Sequence, residues 1–190
     1  MPSPVLHLLG GPNGAGKSTL AAEVLVPVTH LPFVNADVIA AQLWPDGQAE
    51  YAYAASQAAA DERTRLMTAR ATFITETVFS HPSKVDLVTL ATVLGYLVHL
   101  HIVMVPENLS VARVAARVAQ GGHEVPRHKI LERYARLWPL VATARDVVDL
   151  TTFYDNSRAS SPFRVVATYE HGRLIGEPVW PAWTPSALLG

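Results

Sequence analysis

Residues 11–18 follow the pattern G-x-x-x-x-G-K-[S/T] at every required position. The glycines of such a loop allow backbone conformations and close approaches that a Cβ atom would prevent. Several backbone N–H groups then converge on phosphate oxygens at the N-terminus of the next helix, where the helix dipole favours an anion. An apolar segment, residues 5–9, precedes the loop, and a helix is predicted from about Lys17. The pattern therefore predicts a phosphate-binding loop between a buried strand and a helix.

The loop and the first residues of its helix predict the nucleotide contacts. The residues expected to bind the cofactor are Gly11, Pro12, Asn13, Gly14, Ala15, Gly16, Lys17, Ser18 and Thr19. Lys17 is expected to reach the β- and γ-phosphates of ATP, and the Ser18 hydroxyl is expected to ligate Mg²⁺. The alternative is an ordinary glycine turn before a helix, which the correct flanks on both sides disfavour. The motif predicts ATP and Mg²⁺ but leaves the phosphoryl acceptor open.

The remaining chain alternates between predicted strands and helices, which is typical of an α/β fold with helices on both faces of a parallel sheet. Five strands of a mainly parallel P-loop NTPase sheet are predicted at residues 5–9, 31–35, 71–75, 97–105 and 150–154. Helices are predicted from Lys17, over 49–70, over 107–120 and over 126–137. A further helix is expected after residue 80, with the side chain of Ser80 or Ser83 as its N-cap and Pro82 acceptable in its first turn. Segments 164–169 and 173–175 predict a C-terminal hairpin, and the tail 178–190 is expected to pack irregularly onto the same domain.

Length and composition limit the class of protein. The 190 residues suit a single domain, 1–190, and 49% hydrophobic residues with 16% charged residues suit a globular one. The absence of cysteine excludes disulfides, zinc–cysteine sites and thiol catalysis. A formal net charge of −1 makes nucleic acid an unlikely general partner.

A membrane span is the alternative reading of the uncharged segment 87–106. Gly95 and Tyr96 interrupt that segment, and His99 and His101 lie in its second half, so it predicts a helix followed by a buried strand. The N-terminus has no basic region typical of a secretory signal. We therefore expect a cytoplasmic protein without membrane contact.

Acidic and hydroxyl side chains follow two of the predicted strands. Ligands gather beyond the carboxyl ends of parallel strands, so Asp37, Glu76 and Thr77 are expected to face the crevice of the phosphate-binding loop. Asp37 suits a general base or a magnesium ligand held through water, and equally an N-cap of the helix over 38–43. Glu76 and Thr77 suit a polar substrate or the metal shell, and alternatively the capping of a strand end. The fourth strand ends without an acid, which favours a kinase over a motor ATPase.

A group of arginines predicts a helical lid over residues 107–137. Arg113 and Arg117 are four residues apart and project from one helical face. A Gly121-Gly122 break follows, with His123, Arg127 and Arg133 beyond it. Guanidinium groups on a lid can stabilise the charge that develops during phosphoryl transfer, although a solvated basic helix is the simpler reading of any one arginine. Asn156, after the fifth strand, is a candidate for the adenine-side loop.

The order of these motifs resembles that of the zeta toxin family of P-loop kinases. The resemblance spans about residues 5–160 and rests on segments 10–19, 35–37, 76–77, 95–96, 113–117, 121–126 and 154–157. It implies an adenylate-kinase-like sheet and transfer of the ATP γ-phosphate to a sugar hydroxyl of a UDP-N-acetyl sugar. It also implies Asp37 as the general base, Glu76 and Thr77 at the acceptor, and Arg113 and Arg117 at the phosphates. This chain departs from the better-known toxins by its smaller size and by a histidine, His123, near a position where they have an arginine.

The sequence therefore predicts an ATP-dependent kinase for a small-molecule hydroxyl, with a UDP-amino sugar as the first candidate. One alternative is a kinase for a nucleoside, an antibiotic or a nucleic-acid 5′ end. Another is a slow ATPase switch that binds an antitoxin protein.

Overall fold

The computed structural model describes residues 2–48, 50–120 and 125–189. Within this part of the chain, the strands are Val5–Gly10 (β1), Phe33–Val34 (β2), Phe73–Glu76 (β3), Leu97–Met104 (β4), Leu150–Asp155 (β5), Arg164–Glu170 (β6) and Arg173–Ile175 (β7). They form one sheet in the order β2-β3-β1-β4-β5-β6-β7. Pairing is parallel from β2 to β5 and antiparallel at β5–β6 and β6–β7. The order puts β1 at the centre of the five parallel strands, with its carboxyl end between those of β3 and β4.

The helix after β1 is built from three segments: Lys17–Leu20 (α1), a π-helical turn Ala21–Leu25, and Val26–Thr29 (α2). The other α-helices of the described residues are Ala36–Leu43 (α3), Ala52–Thr68 (α4), Ser83–Val93 (α5), Glu107–Ala119 (α6) and Arg127–Arg145 (α7), and Ser186–Leu188 is a 3-10 turn. None of the helices in this part of the chain is long and apolar enough to cross a membrane. The uncharged segment 87–106 contains the end of α5 and the whole of β4.

Alternating side chains of the strands pack into two hydrophobic clusters, one on each face of the sheet. Leu8, Leu100 and Phe153 belong to the larger cluster, which α4, α5 and α7 complete. Leu9 and Val103 point to the other face, where they meet Leu20 at the start of the P-loop helix. Burial on both faces is why these parallel strands are almost continuously apolar.

The α/β class, the parallel core and the C-terminal hairpin predicted from the sequence are confirmed, but the sheet has seven strands instead of five. The hairpin strands β6 and β7 extend the same sheet because β6 pairs with β5 along its length. Two local predictions are wrong. No serine side chain caps α5, which begins after Pro82. Helix α7 continues through Pro139 to Arg145 instead of ending near 137.

The C-terminal tail packs onto the domain, as predicted. Trp180 and Trp183 contact the larger cluster, and Leu188 is fully buried in it. Trp180 meets Phe153 of β5 edge to face. The tail therefore closes the hydrophobic core at the end of the chain.

Candidate active site

The phosphate-binding loop connects β1 to α1 and requires glycine at two positions. A Cβ atom on Gly11 would lie 2.3 Å from the carbonyl oxygen of Val103, so the loop passes directly against β4. Gly16 caps α1 with a φ of 97°, a left-handed conformation that costs other residues about 1–2 kcal/mol. This backbone leaves the first N–H groups of α1 free for an anion.

Lys17 lies almost buried at the base of the loop. Its Nζ donates hydrogen bonds to the carbonyl oxygens of Gly11 and Pro12, each at 3.0 Å. Burial lowers the pKa of Lys17, the nearby carboxylates of Glu76 and Asp37 raise it, and Arg117 lowers it. The ammonium group is therefore held within the loop, close to both carboxylates.

Polar side chains from α6 and from the residue after β5 donate hydrogen bonds that stabilise the loop backbone. The Asn156 amide donates to the carbonyl oxygen of Ala15 at 2.8 Å. Arg113 donates to the carbonyl oxygens of Asn156 at 2.9 Å and Gly14 at 3.4 Å. The Ser110 hydroxyl donates to the carbonyl oxygen of Asn13 at 2.6 Å. Asn156, predicted at the adenine side, thus contacts the loop backbone, and Arg113 supports the loop as well as facing the cavity.

The Gly16→Ala variant is expected to be less stable and to lose nucleotide binding. Its Cβ would lie 2.6 Å from Nδ2 of Asn156 and would displace the amide that braces the loop. We expect a loss of about 2–3 kcal/mol in the free energy of unfolding, measured by urea denaturation, because a left-handed conformation and a lost buried hydrogen bond are combined.

Gly176→Ala is the matched control for this variant, since Gly176 has a φ of 71° and no neighbour within 4 Å. It carries the same conformational penalty without the contact. Equal losses of stability in the two variants would show that the Asn156 contact contributes nothing.

Ser18 and Glu76 form a pair of oxygen ligands beside Lys17. The Ser18 hydroxyl donates to Oε1 of Glu76 at 3.0 Å, while Oε2 of Glu76 is buried without a hydrogen-bond partner among the described residues. Burial raises the pKa of Glu76, while Lys17 and the Ser18 hydrogen bond lower it. A hydroxyl and an unsatisfied carboxylate oxygen suit a hard divalent cation such as Mg²⁺. The residues present therefore fit the predicted metal.

Asp37 lies in the first turn of α3, and its carboxylate is not needed to cap that helix. The Asn35 side chain caps it instead, accepting hydrogen bonds from the backbone N–H groups of Asp37 at 2.6 Å and Val38 at 3.2 Å. Asp37 is solvent-exposed and lines the cavity above the loop. The N-cap of α3 is therefore Asn35 and not Asp37.

Thr77 follows β3 directly and also lines the cavity. Its backbone N–H donates to the carbonyl oxygen of Leu9 at 2.9 Å, and its hydroxyl oxygen accepts a hydrogen bond from the N–H of Phe79 at 3.2 Å. Phe79 is fully buried with a φ of 63°, which is rare for a large side chain. Packing of this ring against Gly10 thus helps to determine where the chain turns beside Thr77.

One cavity of about 890 Å³ contains most of the predicted residues. Seven of the described side chains that line it are basic and two are acidic, in a chain with a net charge of −1. The basic residues are Lys17, Arg63, Lys84, Arg113, Arg117, Lys129 and Arg133, and the acidic ones are Asp37 and Glu76. The cavity is large enough for a nucleotide phosphate chain and a second small molecule, and its charge favours anions.

Arg63 and Lys84 are two cations of this cavity that the sequence motifs do not indicate. Both are half-buried and neither has a carboxylate partner among the described residues. Burial lowers the pKa of Arg63, and burial together with the charge of Arg63 lowers the pKa of Lys84. Two desolvated cations that repel each other are best stabilised by an anion between them.

The other predicted residues are placed differently. Arg117 lines the cavity from α6, as expected. Arg127 is exposed at the start of α7 and does not line the cavity, whereas Lys129 and Arg133, later on the same helix, do. His123 and the Gly121-Gly122 break lie outside the described residues. No sequence signal distinguished Arg63 from the other charges of α4, because its helix is mostly alanine and polar residues.

The central β1 with its glycine loop, Lys17 and the basic cavity define a nucleotide-binding P-loop domain of the kinase-like type. Residues 6–140 match the model of the AAA_33 family, described as an AAA domain, and the chain belongs to this family. No curated protein matches the chain.

Several solved structures share the fold at low sequence identity. A chain of the AvrRxo1-ORF1:AvrRxo1-ORF2 complex with sulphate ions matches with a TM-score of 0.69 and 16% identity, covering 91% of this chain and 60% of that one. A chain of the same complex with ATP matches with a TM-score of 0.62 and 17% identity, with coverages of 91% and 60%. The PezAT toxin–antitoxin system of Streptococcus pneumoniae matches with a TM-score of 0.62 and 16% identity, covering 87% of this chain and 72% of that one. The chain therefore spans less than two thirds of the AvrRxo1 chains that it matches.

Proposed function

We propose that this chain is an ATP-dependent kinase of the zeta-toxin type that phosphorylates a hydroxyl group of a small anionic molecule. A UDP-N-acetyl amino sugar is the first candidate acceptor. The observation that carries the proposal is the common cavity. It is lined by Lys17, by the exposed carboxylate of Asp37 and by the cations Arg63 and Lys84, which have no carboxylate partner among the described residues.

The nucleotide end of the cavity is assigned to ATP with Mg²⁺. The loop, Lys17 and the N-terminus of α1 would bind the phosphate chain. Ser18 and Glu76 would hold the metal, which supplies charge neutralisation at the phosphate oxygens. The AvrRxo1 complex solved with ATP supports the choice of nucleotide for this fold.

In the proposed reaction, Asp37 accepts the proton of the acceptor hydroxyl as its oxygen attacks the γ-phosphorus. A new P–O bond forms to the acceptor, the bond between the γ-phosphorus and the β–γ bridging oxygen breaks, and ADP leaves with that electron pair. Lys17, Arg113 and Arg117 stabilise the negative charge on the transferred group. The exposed Asp37 suits this role because its carboxylate makes no structural hydrogen bond in the described part of the chain.

The acceptor end is assigned to the basic side chains. A diphosphate, as in a sugar nucleotide, would bind both cations and offset the repulsion between Arg63 and Lys84. Thr77 would contact the acceptor beside Asp37. Helices α6 and α7 would act as the lid over 107–137 within a single domain, since Arg113 and Arg117 of α6 and Lys129 and Arg133 of α7 all line the cavity. His123 and Arg127 remain candidate substrate contacts of that lid.

The zeta-toxin assignment also predicts a protein partner. The PezAT neighbour is described as a toxin–antitoxin system, and this supports an antitoxin-like partner. The larger toxins have an arginine near the position at which this chain has His123. The acceptor pocket is therefore expected to differ in detail from theirs.

The test is mass spectrometry of the purified chain incubated with ATP, Mg²⁺ and separate acceptors: UDP-sugars, nucleosides and 5′-hydroxyl oligonucleotides. We expect a UDP-amino sugar to gain the mass of one phosphoryl group. Phosphorylation of the oligonucleotides alone would replace the acceptor with a nucleic-acid end. ADP production without any phosphorylated acceptor would contradict the kinase proposal and favour a slow ATPase switch.

Arg63→Gln and Lys84→Gln are expected to raise the KM for the acceptor about 10-fold each, about 1.4 kcal/mol, with the KM for ATP unchanged. Steady-state kinetics at saturating ATP measures this. Arg65→Gln is the matched control on the same helix, because Arg65 is exposed and paired with Glu62. An equal effect of Arg65→Gln, or a change in the KM for ATP, would contradict an acceptor role for the first two residues.

A further inference from the structure

Three histidines lie together on the sheet, outside the proposed active site. His7 belongs to β1, and His99 and His101 belong to β4. The two strands are parallel neighbours in which His7 pairs with His99, and His101 lies two residues further on, so all three imidazoles project from the same face. This face is opposite the larger hydrophobic cluster. The histidine cluster, His7, His99 and His101, has no role in the kinase reaction proposed above.

The ring nitrogens of the cluster are close enough to share one ion. One ring nitrogen from each histidine lies within 4.8 Å of the other two. Nδ1 of His7 and Nε2 of His101 are 3.1 Å apart. With Zn–N bonds of about 2.05 Å, two ligands of a tetrahedral zinc ion lie roughly 3.3 Å apart. This pair shares a hydrogen bond in the structure and is already near the ligand spacing, so a bound ion would replace that hydrogen bond.

The second nitrogens of two rings are bonded to hydroxyl groups of the neighbouring strand β5. Nε2 of His99 is 3.0 Å from the Thr152 hydroxyl, and Nδ1 of His101 is 3.1 Å from the Tyr154 hydroxyl. These contacts leave the opposite nitrogen of each ring for a metal. Histidine ligands commonly have such an oxygen partner, which orients the ring and selects its tautomer.

The surroundings favour the neutral rings that bind metals. Burial and the neighbouring His7 lower the pKa of His99 to about 4, and burial with repulsion from the other two rings lowers that of His101. His101 is buried, while His7 and His99 are partly exposed, so the cluster is not wholly closed off from solvent.

We propose that His7, His99 and His101 form a binding site for one divalent transition-metal ion that prefers imidazole ligands, with Zn²⁺ as the first candidate. The ion joins β1 to β4, and His7 lies on the strand that leads into the phosphate-binding loop. Its role is structural: it holds β4 against β1, the strand that leads into the loop. The site is separate from the oxygen ligands Ser18 and Glu76, which suit a harder cation.

The test uses the chain purified through a tag without histidine and freed of metal by a chelator. Zn²⁺ is titrated against a competing chromophoric chelator, and Co²⁺ absorption reports the coordination geometry. We expect one Zn²⁺ per chain, a higher melting temperature with Zn²⁺, and visible absorption of tetrahedral Co²⁺. His7→Gln and His99→Gln are each expected to lose ~100-fold or more in affinity, beyond the 10–100-fold typical for a ligand's hydrogen-bond partner.

His128→Gln is the control, because His128 is exposed on α7 away from the cluster. It is expected to bind Zn²⁺ like the unaltered chain, as is Lys17→Ala, which separates this site from the nucleotide site. Unchanged Zn²⁺ affinity in the cluster variants, or an equal loss in His128→Gln, would overturn the proposal.

A second measurement does not depend on the folding of a variant. Diethyl pyrocarbonate modifies accessible imidazoles of the unaltered chain, and peptide mass spectrometry locates the modified histidines. Zn²⁺ is expected to protect His7 and His99 and to leave His128 reactive. Equal modification of His7 and His99 with and without Zn²⁺ would also overturn the proposed site.

Discussion

Replacing Lys17 by alanine is expected to reduce phosphoryl transfer by roughly 10³-fold or more, the magnitude seen when a charged group that stabilises the transferring phosphoryl is removed. The Nζ of Lys17 lies within the loop and is bonded only to the carbonyl oxygens of Gly11 and Pro12 in the described structure. An ATP γ-phosphate would replace these partners. Measuring kcat and the Kd of ATP separates the loss of catalysis from the loss of binding.

Removing the amine also takes the nearby cation from the buried carboxyl of Glu76, whose pKa is then expected to rise further, so urea denaturation of the variant is needed to show that it is folded. Arg173→Ala, on the exposed strand β7, is the control for a general effect of losing a cation. If the Lys17 variant retained more than about a tenth of the activity, its place in the transfer reaction would have to be abandoned.

Asp37→Asn is expected to lower kcat by about 10²–10⁴-fold, the usual contribution of a general base, with the KM for ATP almost unchanged. Asparagine keeps the shape of the side chain but cannot accept the hydroxyl proton. The Asn35 cap of α3 does not involve the carboxylate, so helix stability should be preserved. The decisive measurement is kcat at saturating ATP and acceptor, together with urea denaturation of both proteins.

Asp46→Asn is the matched control, since Asp46 is an exposed acid in the turn that follows the same helix. Its turnover should equal that of the unaltered chain. Normal turnover in the Asp37 variant would remove Asp37 from the proposed mechanism and leave the carboxylate as a surface charge.

The phosphate-binding end of the site could be predicted from the sequence because its chemistry is local. The glycines, Lys17 and Ser18 are consecutive, and the backbone conformations that they require are properties of single residues such as Gly16. The strand before the loop and the helix after it follow from short apolar patterns. Asp37, Glu76 and Thr77 could be placed at the same edge of the sheet because each lies at or just beyond the carboxyl end of a parallel strand.

The part of the cavity that we propose for the acceptor could not be predicted in the same way. Arg63 lies on α4 and Lys84 on α5, and only the packing of those helices over one sheet face brings the two cations into the same cavity. Lys129 and Arg133 line that cavity and Arg127, the first residue of α7, does not. Which side of α7 faces the cavity depends on how the helix packs. Helical periodicity gives the relative phase of such residues but not their absolute direction.

By itself, the sequence determined a P-loop between a buried strand and a helix, within an α/β fold. The tertiary structure alone decided that β6 and β7 extend the sheet, that Asn35 instead of Asp37 caps α3, and that His7 meets His99 and His101. The physical reason is the range of the interactions. Turn conformation and phosphate contact depend on neighbouring residues. Strand order and register instead bring together side chains that are far apart in the sequence, such as His7 and His101, which are separated by 94 residues.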